Sequence, residues 1–306
     1  MSPLHDDPNW PRASDWLAGG FLPGAARRLA VLGVPAKTGS ITPGRCDLAP
    51  DAIRSALRRF STYDVEHDCD LRGLAVEDLG DLDVAEASPE QAFGPVASTV
   101  SQVAAGVDAV VLLGGDNSIT RPGCHGVAPS LARCGLLTFD AHFDLRDLDR
   151  GLTNGNPVRA LLADGLPGDH VVQIGIQPFA NSKAYADVAR QAGIRVILAG
   201  QVHHAGIDET VSDALCYLAQ RAEVIYVDLD IDVLDRAFAP ATAGSRPGGL
   251  APWELRRAAR ACGLDPKVKA LDLVEIDPTC DVAETTVLAA GACLLSFASG
   301  LARRPA

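Results

Sequence analysis

Apolar runs recur along the chain, separated by segments in which apolar positions return every three to four residues. The runs are RLAVLGVP (28–35), AVVLLGG (109–115), GLLTFD (135–140), VVQIGI (171–176), IRVILAG (194–200), VIYVDLD (224–230) and VKALDLVEI (268–276), with a shorter one inside 74–84. Runs of this length with little polar alternation predict strands covered on both faces. The intervening spacing predicts helices over 50–60, 89–105, 181–192, 208–222, 253–262 and about 284–301. Eight strands with helical crossovers place the chain in the α/β class, with a parallel sheet covered on both sides. A closed (β/α)8 barrel fits the same alternation. Either arrangement puts a ligand site at the carboxyl ends of the strands. Residues 1–27 show no such pattern and are expected to form an irregular arm. Residues 28–306 contain no linker, repeat or low-complexity stretch and read as one domain.

Composition narrows the function classes. Hydrophobic residues make up 47% of the 306 positions, enough for a continuous core. A net charge of −12 leaves no broad basic face, so neither nucleic acid nor an anionic membrane is an expected partner. A small anionic substrate held by a few local arginines remains compatible. The eight cysteines form no C-x2-C pair and sit mostly in apolar segments, where Cys behaves as a small hydrophobe. They are expected to be reduced, in a cytoplasmic protein. The N-terminal MSPLHDDPNWPRASDW is polar and acidic, unlike a signal peptide, and the apolar runs are too short or too interrupted to cross a bilayer.

Two strand ends carry the chemistry. GLLTFD continues into AHFD, placing Asp140, His142 and Asp144 at alternate positions. Alternate residues of an extended segment point the same way. Alone, such a segment could simply end a strand and cap a helix. The second cluster, Asp228, Asp230, Asp232 and Asp235 in YVDLDIDVLD, lies far away in sequence. On neighbouring parallel strands the two would meet at one rim, where their carboxylates would repel and raise each other's pKa. Divalent cations remove that penalty, and oxygen ligands with an imidazole suit Mn²⁺, then Fe²⁺, Co²⁺, Ni²⁺ or Zn²⁺. Shared aspartates could bridge two ions and activate a water between them. Calcium fits less well, because the EF-hand spacing and its distal Glu are absent.

The pair DAHFD (140–144) and DIDVLD (230–235), with LGVP, APDAIRSAL, GGDNSIT (114–120), TNGNPVRALL (153–162) and VEIDP (274–278), resembles the ureohydrolase superfamily of arginases, agmatinases and formimidoylglutamases. The resemblance runs from about residue 29 to about residue 290. It implies a three-layer αβα sandwich with a parallel eight-stranded sheet, a binuclear Mn²⁺ centre, a small-molecule substrate and a homo-oligomer. In that pattern Asp140 and Asp230 bridge both ions, His142 and Asp232 complete one site, and Asp144 joins the other and relays a proton. Asn117 stands where the family usually has His after GGD. A neutral carbonyl oxygen is a weaker Mn²⁺ ligand than imidazole, so this metal site is expected to be weak or partly empty. Asn154 likewise replaces a His. Both replacements, with NGNPVR and VEIDPTCD, are most similar to bacterial formimidoylglutamases.

That resemblance implies hydrolysis of N-formimidoyl-L-glutamate to L-glutamate and formamide, a step of histidine degradation. Asp144 and Glu275 are the implied catalytic residues, Glu275 pairing with the cationic amidine. Asn154, Arg146 and Arg159 are the expected substrate contacts, since an Arg takes a carboxylate with two parallel hydrogen bonds. An amidinohydrolase releasing urea from a guanidino acid, and a catalytically silent metal-binding homologue, are the competing readings.

Overall fold

The computed structural model describes residues 7–19 and 25–305. The strands are β1 (Arg28–Val34), β2 (Tyr63–Asp64), β3 (Cys69–Asp70), β4 (Ala75–Asp81), β5 (Ala109–Gly114), β6 (Cys134–Phe139), β7 (Val171–Ile176), β8 (Arg195–Leu198), β9 (Val224–Asp230) and β10 (Val268–Val274). Eight of them form one sheet in the order β4-β1-β5-β10-β9-β6-β7-β8, with parallel pairing throughout. The sheet is open, ending at β4 and β8, which rules out the closed barrel. The antiparallel pair β2–β3 stands apart. Its two-residue strands contain no apolar run, so the hydropathy pattern does not announce it.

Successive strand residues feed two separate cores. Leu29, Val111, Val227 and Leu271 face one side, where α2 (Ala49–Ala56), α7 (Ala199–Ala205), α8 (Ile207–Ala219), α9 (Pro252–Leu264) and α10 (Thr285–Ala302) pack. Leu32, Val110, Leu136 and Tyr226 face the other, covered by α3 (Pro89–Ala104), α4 (Thr120–Val127), α5 (Pro157–Ala163) and α6 (Lys183–Ala192). The architecture is therefore a three-layer αβα sandwich. The apolar run 194–200 splits: β8 stops at Leu198 and α7 starts at Ala199. This edge strand has a partner on one side only and leaves Leu198 exposed.

The stretch before residue 28 is not uniformly irregular. A single helical element, α1 (Ala13–Leu17), buries Ala13, Trp16 and Leu17, and the Trp16 indole donates to the Leu74 carbonyl at 3.1 Å. One turn with apolar residues at i, i+3 and i+4 is too short to register as periodicity. Residues 1–6 and 20–24 of the expected arm lie outside the described residues.

α10 is long and apolar enough to cross a membrane by composition alone, yet 67% of it is buried inside the fold. It packs on α9 and α2. Glycines let α9 and α10 come close: a Cβ on Gly263 would sit 2.1 Å from the Phe297 carbonyl oxygen, and one on Gly300 2.1 Å from that of Arg260. All eight cysteines are free thiols, six of them buried.

Candidate metal centre and substrate cleft

The four central strands, β5, β10, β9 and β6, all deliver polar groups from their carboxyl ends. β6 runs out at Phe139 into Asp140, whose backbone N–H still bonds Ile174 O on β7. β9 ends on Asp230, and a 3-10 turn over Ile231–Val233 carries Asp232. β10 runs out into Glu275, whose N–H bonds Gly115 O beyond β5. The turn Asn117–Ile119 after β5 closes the ring. Since β10 and β9 lie between β5 and β6, crossovers leave the centre in opposite directions. That is the crevice where open α/β sheets bind ligands.

The two acidic clusters, distant in sequence, are side by side. Asp140, His142 and Asp232 each offer a ligand atom within 4.8 Å of the others. His142 Nδ1 lies 3.0 Å from Asp232 Oδ2 and 3.4 Å from Asp140 Oδ1. Asp144 and Asp230 line the same cleft, an open space of about 760 Å³. Backbone N–H groups hold the carboxylates in place. The Asp140 side chain accepts from His142 N at 2.6 Å, Asp230 from Asp232 N at 2.8 Å, and Asp232 from Ala141 N at 3.2 Å. Asp144 and Glu275 both adopt positive φ, 53° and 66°. Non-glycine residues take that conformation at a cost, and such strain gathers at functional sites.

Asp140 and Asp232 are almost fully buried. Burial, then the Asp232 charge, pushes Asp140 up to about 6. Burial followed by neighbouring carboxylates raises Asp144 and Asp230 well above the usual range. The Asp232 carboxylate holds the His142 imidazolium up to about 12. Burial also acts upward on Asp232, but His142 outweighs it and the net shift is downward. Burial and then the Asp116 charge push Glu275 up to about 8. Such a crowd of carboxylates calls for cations. The donor set fits a divalent transition ion: oxygen ligands with one imidazole suit Mn²⁺. Asp140 Oδ2 is buried without a hydrogen-bond partner, an acceptor left free for an ion.

The expected substrate residues divide. Arg146 and Asn154 line the cleft. Asn154 Nδ2 donates to Glu275 Oε1 at 2.9 Å, and the Asn117 backbone N–H donates to the same oxygen at 2.7 Å. Arg159 is not brought in. It sits on α5 with its guanidinium 3.6 Å from the exposed Asp147, and is absent from the cleft lining. The Asn117 amide nitrogen donates to Asp144 Oδ2 at 2.6 Å, so its carbonyl points away from the expected ion. Asp235 supports the following loop, accepting from Ala237 N and Gly248 N.

Sequence reasoning missed Arg246, Asn181 and Tyr185, which also line the cleft. Arg246 arrives on a loop pressed against the acidic cluster. A Cβ on Gly244 would lie 1.8 Å from Asp232 Oδ2 and 2.9 Å from His142 Cε1. Arg236 fastens that loop by donating to the Thr242 carbonyl at 2.5 Å. Asn181 bridges the Phe143 N–H and the Ala141 carbonyl, stiffening the His142 segment from outside. Asn181 and Tyr185 lie in VVQIGIQPFANSKAYADVA (171–189), a stretch similar to bacterial formimidoylglutamases in which neither residue was assigned a role, and a loop rich in Gly and Arg after DVLD was the hint for Arg246. Asp228, which belongs to the second acidic cluster but not to the expected metal pair, stands opposite Asp272, which was passed over. They lie on β9 and β10 and are fully buried.

The profile of the arginase family matches residues 27–299. The formimidoylglutamase of Halalkalibacterium halodurans is 36% identical over 287 residues, covering 92% of this chain and 90% of that one. The solved structure of Bacillus subtilis formimidoylglutamase superposes with a TM-score of 0.91 at 29% identity, covering 100% of this chain and 96% of that one. A Trypanosoma cruzi formiminoglutamase solved with Mn²⁺ shares the fold, with a TM-score of 0.86 at 22% identity over 97% of this chain and 100% of that one. The αβα sandwich, the acidic rim at its central strands and a profile match over nearly the whole length agree: this chain belongs to the arginase family.

Proposed function

We propose that this chain hydrolyses N-formimidoyl-L-glutamate to L-glutamate and formamide around a binuclear Mn²⁺ centre. The observation that carries this reading is the polarity of the cleft. Carboxylates of Asp144, Asp230, Asp232 and Glu275 line it, and so do the guanidinium groups of Arg146 and Arg246. The proposed substrate has matching ends, a cationic amidine and two carboxylates. Agmatine, cationic at both ends, would meet repulsion from the arginines. The formimidoylglutamase names of the relatives described above support the same substrate.

Asp140, His142, Asp144, Asp230 and Asp232 would hold the ions, with Asn117 beside the weaker position. When bound, the ions supply Lewis-acid activation of a water molecule. Glu275 accepts from the amidinium N–H groups. Its own carboxylate is oriented by Asn154 Nδ2 and the Asn117 N–H. A cation beside Glu275 favours its ionised form, opposing the burial that raises its pKa. Water adds oxygen to the amidine carbon, the bond from that carbon to the glutamate nitrogen breaks, and that nitrogen needs a proton. Asp144, which lines the cleft beside the proposed ions and the amidine end of the substrate, is the proposed shuttle. Arg146 and Arg246 take the two substrate carboxylates. A cytoplasmic location and a symmetric homo-oligomer accompany this reading, the former supported by eight unpaired thiols.

The deciding experiment offers Mn²⁺-loaded protein a panel of formimidoylglutamate, agmatine and guanidino acids. Formamide and glutamate from the first is the expected result. Urea from a guanidino acid, or no turnover despite bound metal, would overturn the proposal in favour of an amidinohydrolase or a silent homologue.

A further inference from the structure

Behind the proposed metal centre a buried chain of polar groups runs back from Asn117 through residues to which the reaction gives no role. Asn117, Thr120, Tyr226 and Asp272 are all 1% exposed or less. Thr120 Oγ1 lies 2.6 Å from Asn117 Oδ1 and 2.8 Å from Asp272 Oδ2, and Tyr226 OH donates to that same Asp272 oxygen at 2.8 Å. A threonine hydroxyl has one proton and two lone pairs. It can donate to Asn117 or to Asp272, but not to both at once. In the arrangement where Asn117 Nδ2 donates to Asp144, Thr120 gives its proton to Asn117 Oδ1.

A half-turn of the amide exchanges its oxygen and nitrogen with almost no movement of other atoms. The nitrogen then faces Thr120, which accepts from it and gives its own proton to Asp272. The carbonyl oxygen then faces Asp144 Oδ2. Two acceptor oxygens that close are repulsive alone and become a ligand pair when a cation sits beside them. Each orientation is fully hydrogen-bonded on the Thr120 side, because the hydroxyl can reverse. A side chain without a hydroxyl there would leave the carbonyl oxygen unpaired in the first orientation and strand a buried N–H in the turned one, the costlier loss because orphaned buried N–H groups are tolerated less than under-satisfied carbonyls.

We infer that Thr120, backed by Asp272 and Tyr226, is the positioning residue that lets the Asn117 amide turn its oxygen toward an entering cation, by accepting from the turned nitrogen. This rests on the two-ion Mn²⁺ centre proposed above. It also addresses how a chain with Asn in place of the family's usual His could still fill its weaker metal position.

The test is a Mn²⁺ titration of metal-free protein, reading free Mn²⁺ by its electron paramagnetic resonance signal, so that turnover is not involved. Thr120→Val preserves shape and removes the hydroxyl. It is expected to leave the tighter ion unchanged and weaken the second about tenfold, while Thr120→Ser matches the native protein. In an Asn117→Asp background both side-chain oxygens are equivalent and no orientation needs selecting. There Thr120→Val should shift the second ion by less than about twofold. An equal loss in both backgrounds would mean a merely structural role, and no loss in the native background would remove Thr120 from the site; either overturns the inference. Binding of no more than one Mn²⁺ by the native protein also overturns it, and binding of none defeats the metal-centre reading as well. Should Thr120→Val lose its folded near-ultraviolet signature, Thr120→Cys, a poor acceptor of similar size, carries the same expectation.

Discussion

At the scale of single residues, the proposed chemistry depends on side chains that are individually unfavourable where they stand. Asp140 and Asp230 are buried beside other carboxylates, and their raised proton affinity is the direct consequence. Asp230→Ala is expected to remove both ions and all turnover, because Asp230 is the proposed bridge. Metal content by mass spectrometry together with a formamide assay checks this, and two retained ions with normal rate would contradict it. Arg146→Ala should raise KM for formimidoylglutamate about ten- to a hundredfold with little change in kcat, as expected for lost binding of a charged group at the substrate's tail. An unaltered KM would take Arg146 out of recognition. Much of this scale was readable beforehand. Asp140, His142, Asp144, Asp230 and Asp232 stand out because ionisable residues directly after apolar strands are expensive unless used. Arg159 shows the limit. The motif position suggested a substrate contact, but the turn of α5 aims the side chain at Asp147 instead.

At the scale of elements, the strands position the chemistry and the helices hold the strands. The close α9–α10 crossing is the clearest dependence on small residues. Gly300→Ala would drive a methyl into the Arg260 carbonyl, 2.1 Å away, and separate the two helices. A loss of about 1–3 kcal/mol is expected from such overpacking, measured by urea unfolding, with formamide production per folded molecule unchanged because the cleft is at the other end of the strands. Equal stability would show that the helices can shift freely. The sheet strands were legible because each is a continuous apolar run bounded by polar residues. α4, α5 and α7 were not, since seven or eight residues give only two turns of periodicity and two of these helices begin in glycine-rich loops. The loop bearing Arg246 was invisible for a related reason. Its position is set by Arg236, Asp235 and contact with the acidic cluster, and not by any preference of its own.

At the scale of the whole molecule, the acidic rim couples metal binding to stability and pH. Asp140 and Glu275 have folded-state pKa values raised to about 6 and about 8. A raised carboxyl contributes stability that is full below its unfolded pKa, near 4, and is lost as pH climbs through the folded value. The metal-free protein should therefore lose stability between about pH 4 and pH 8 from these two groups. Mn²⁺ offsets the exposed repulsion and competes with the same protons, so its stabilisation should grow with pH. The expected result is a larger Mn²⁺-induced rise in Tm at about pH 8 than at about pH 6, accompanied by proton release in calorimetry. A Mn²⁺ effect independent of pH would contradict it.

The sequence by itself determined what is local: where apolar strands end, which ionisable residues follow them, and which residue types can share a transition ion. Only the tertiary structure decided what depends on distant partners. The insertion of β10 and β9 between β5 and β6 brings Asn117, Glu275, Asp230 and Asp140 to one rim. The same packing admits Arg246 to the cleft, turns Arg159 away from it and sets Thr120 between Asn117 and Asp272. The division is physical. Hydrophobic periodicity is a property of neighbouring residues along the chain, whereas strand order and hydrogen-bond partnership arise from contacts between separate segments of it.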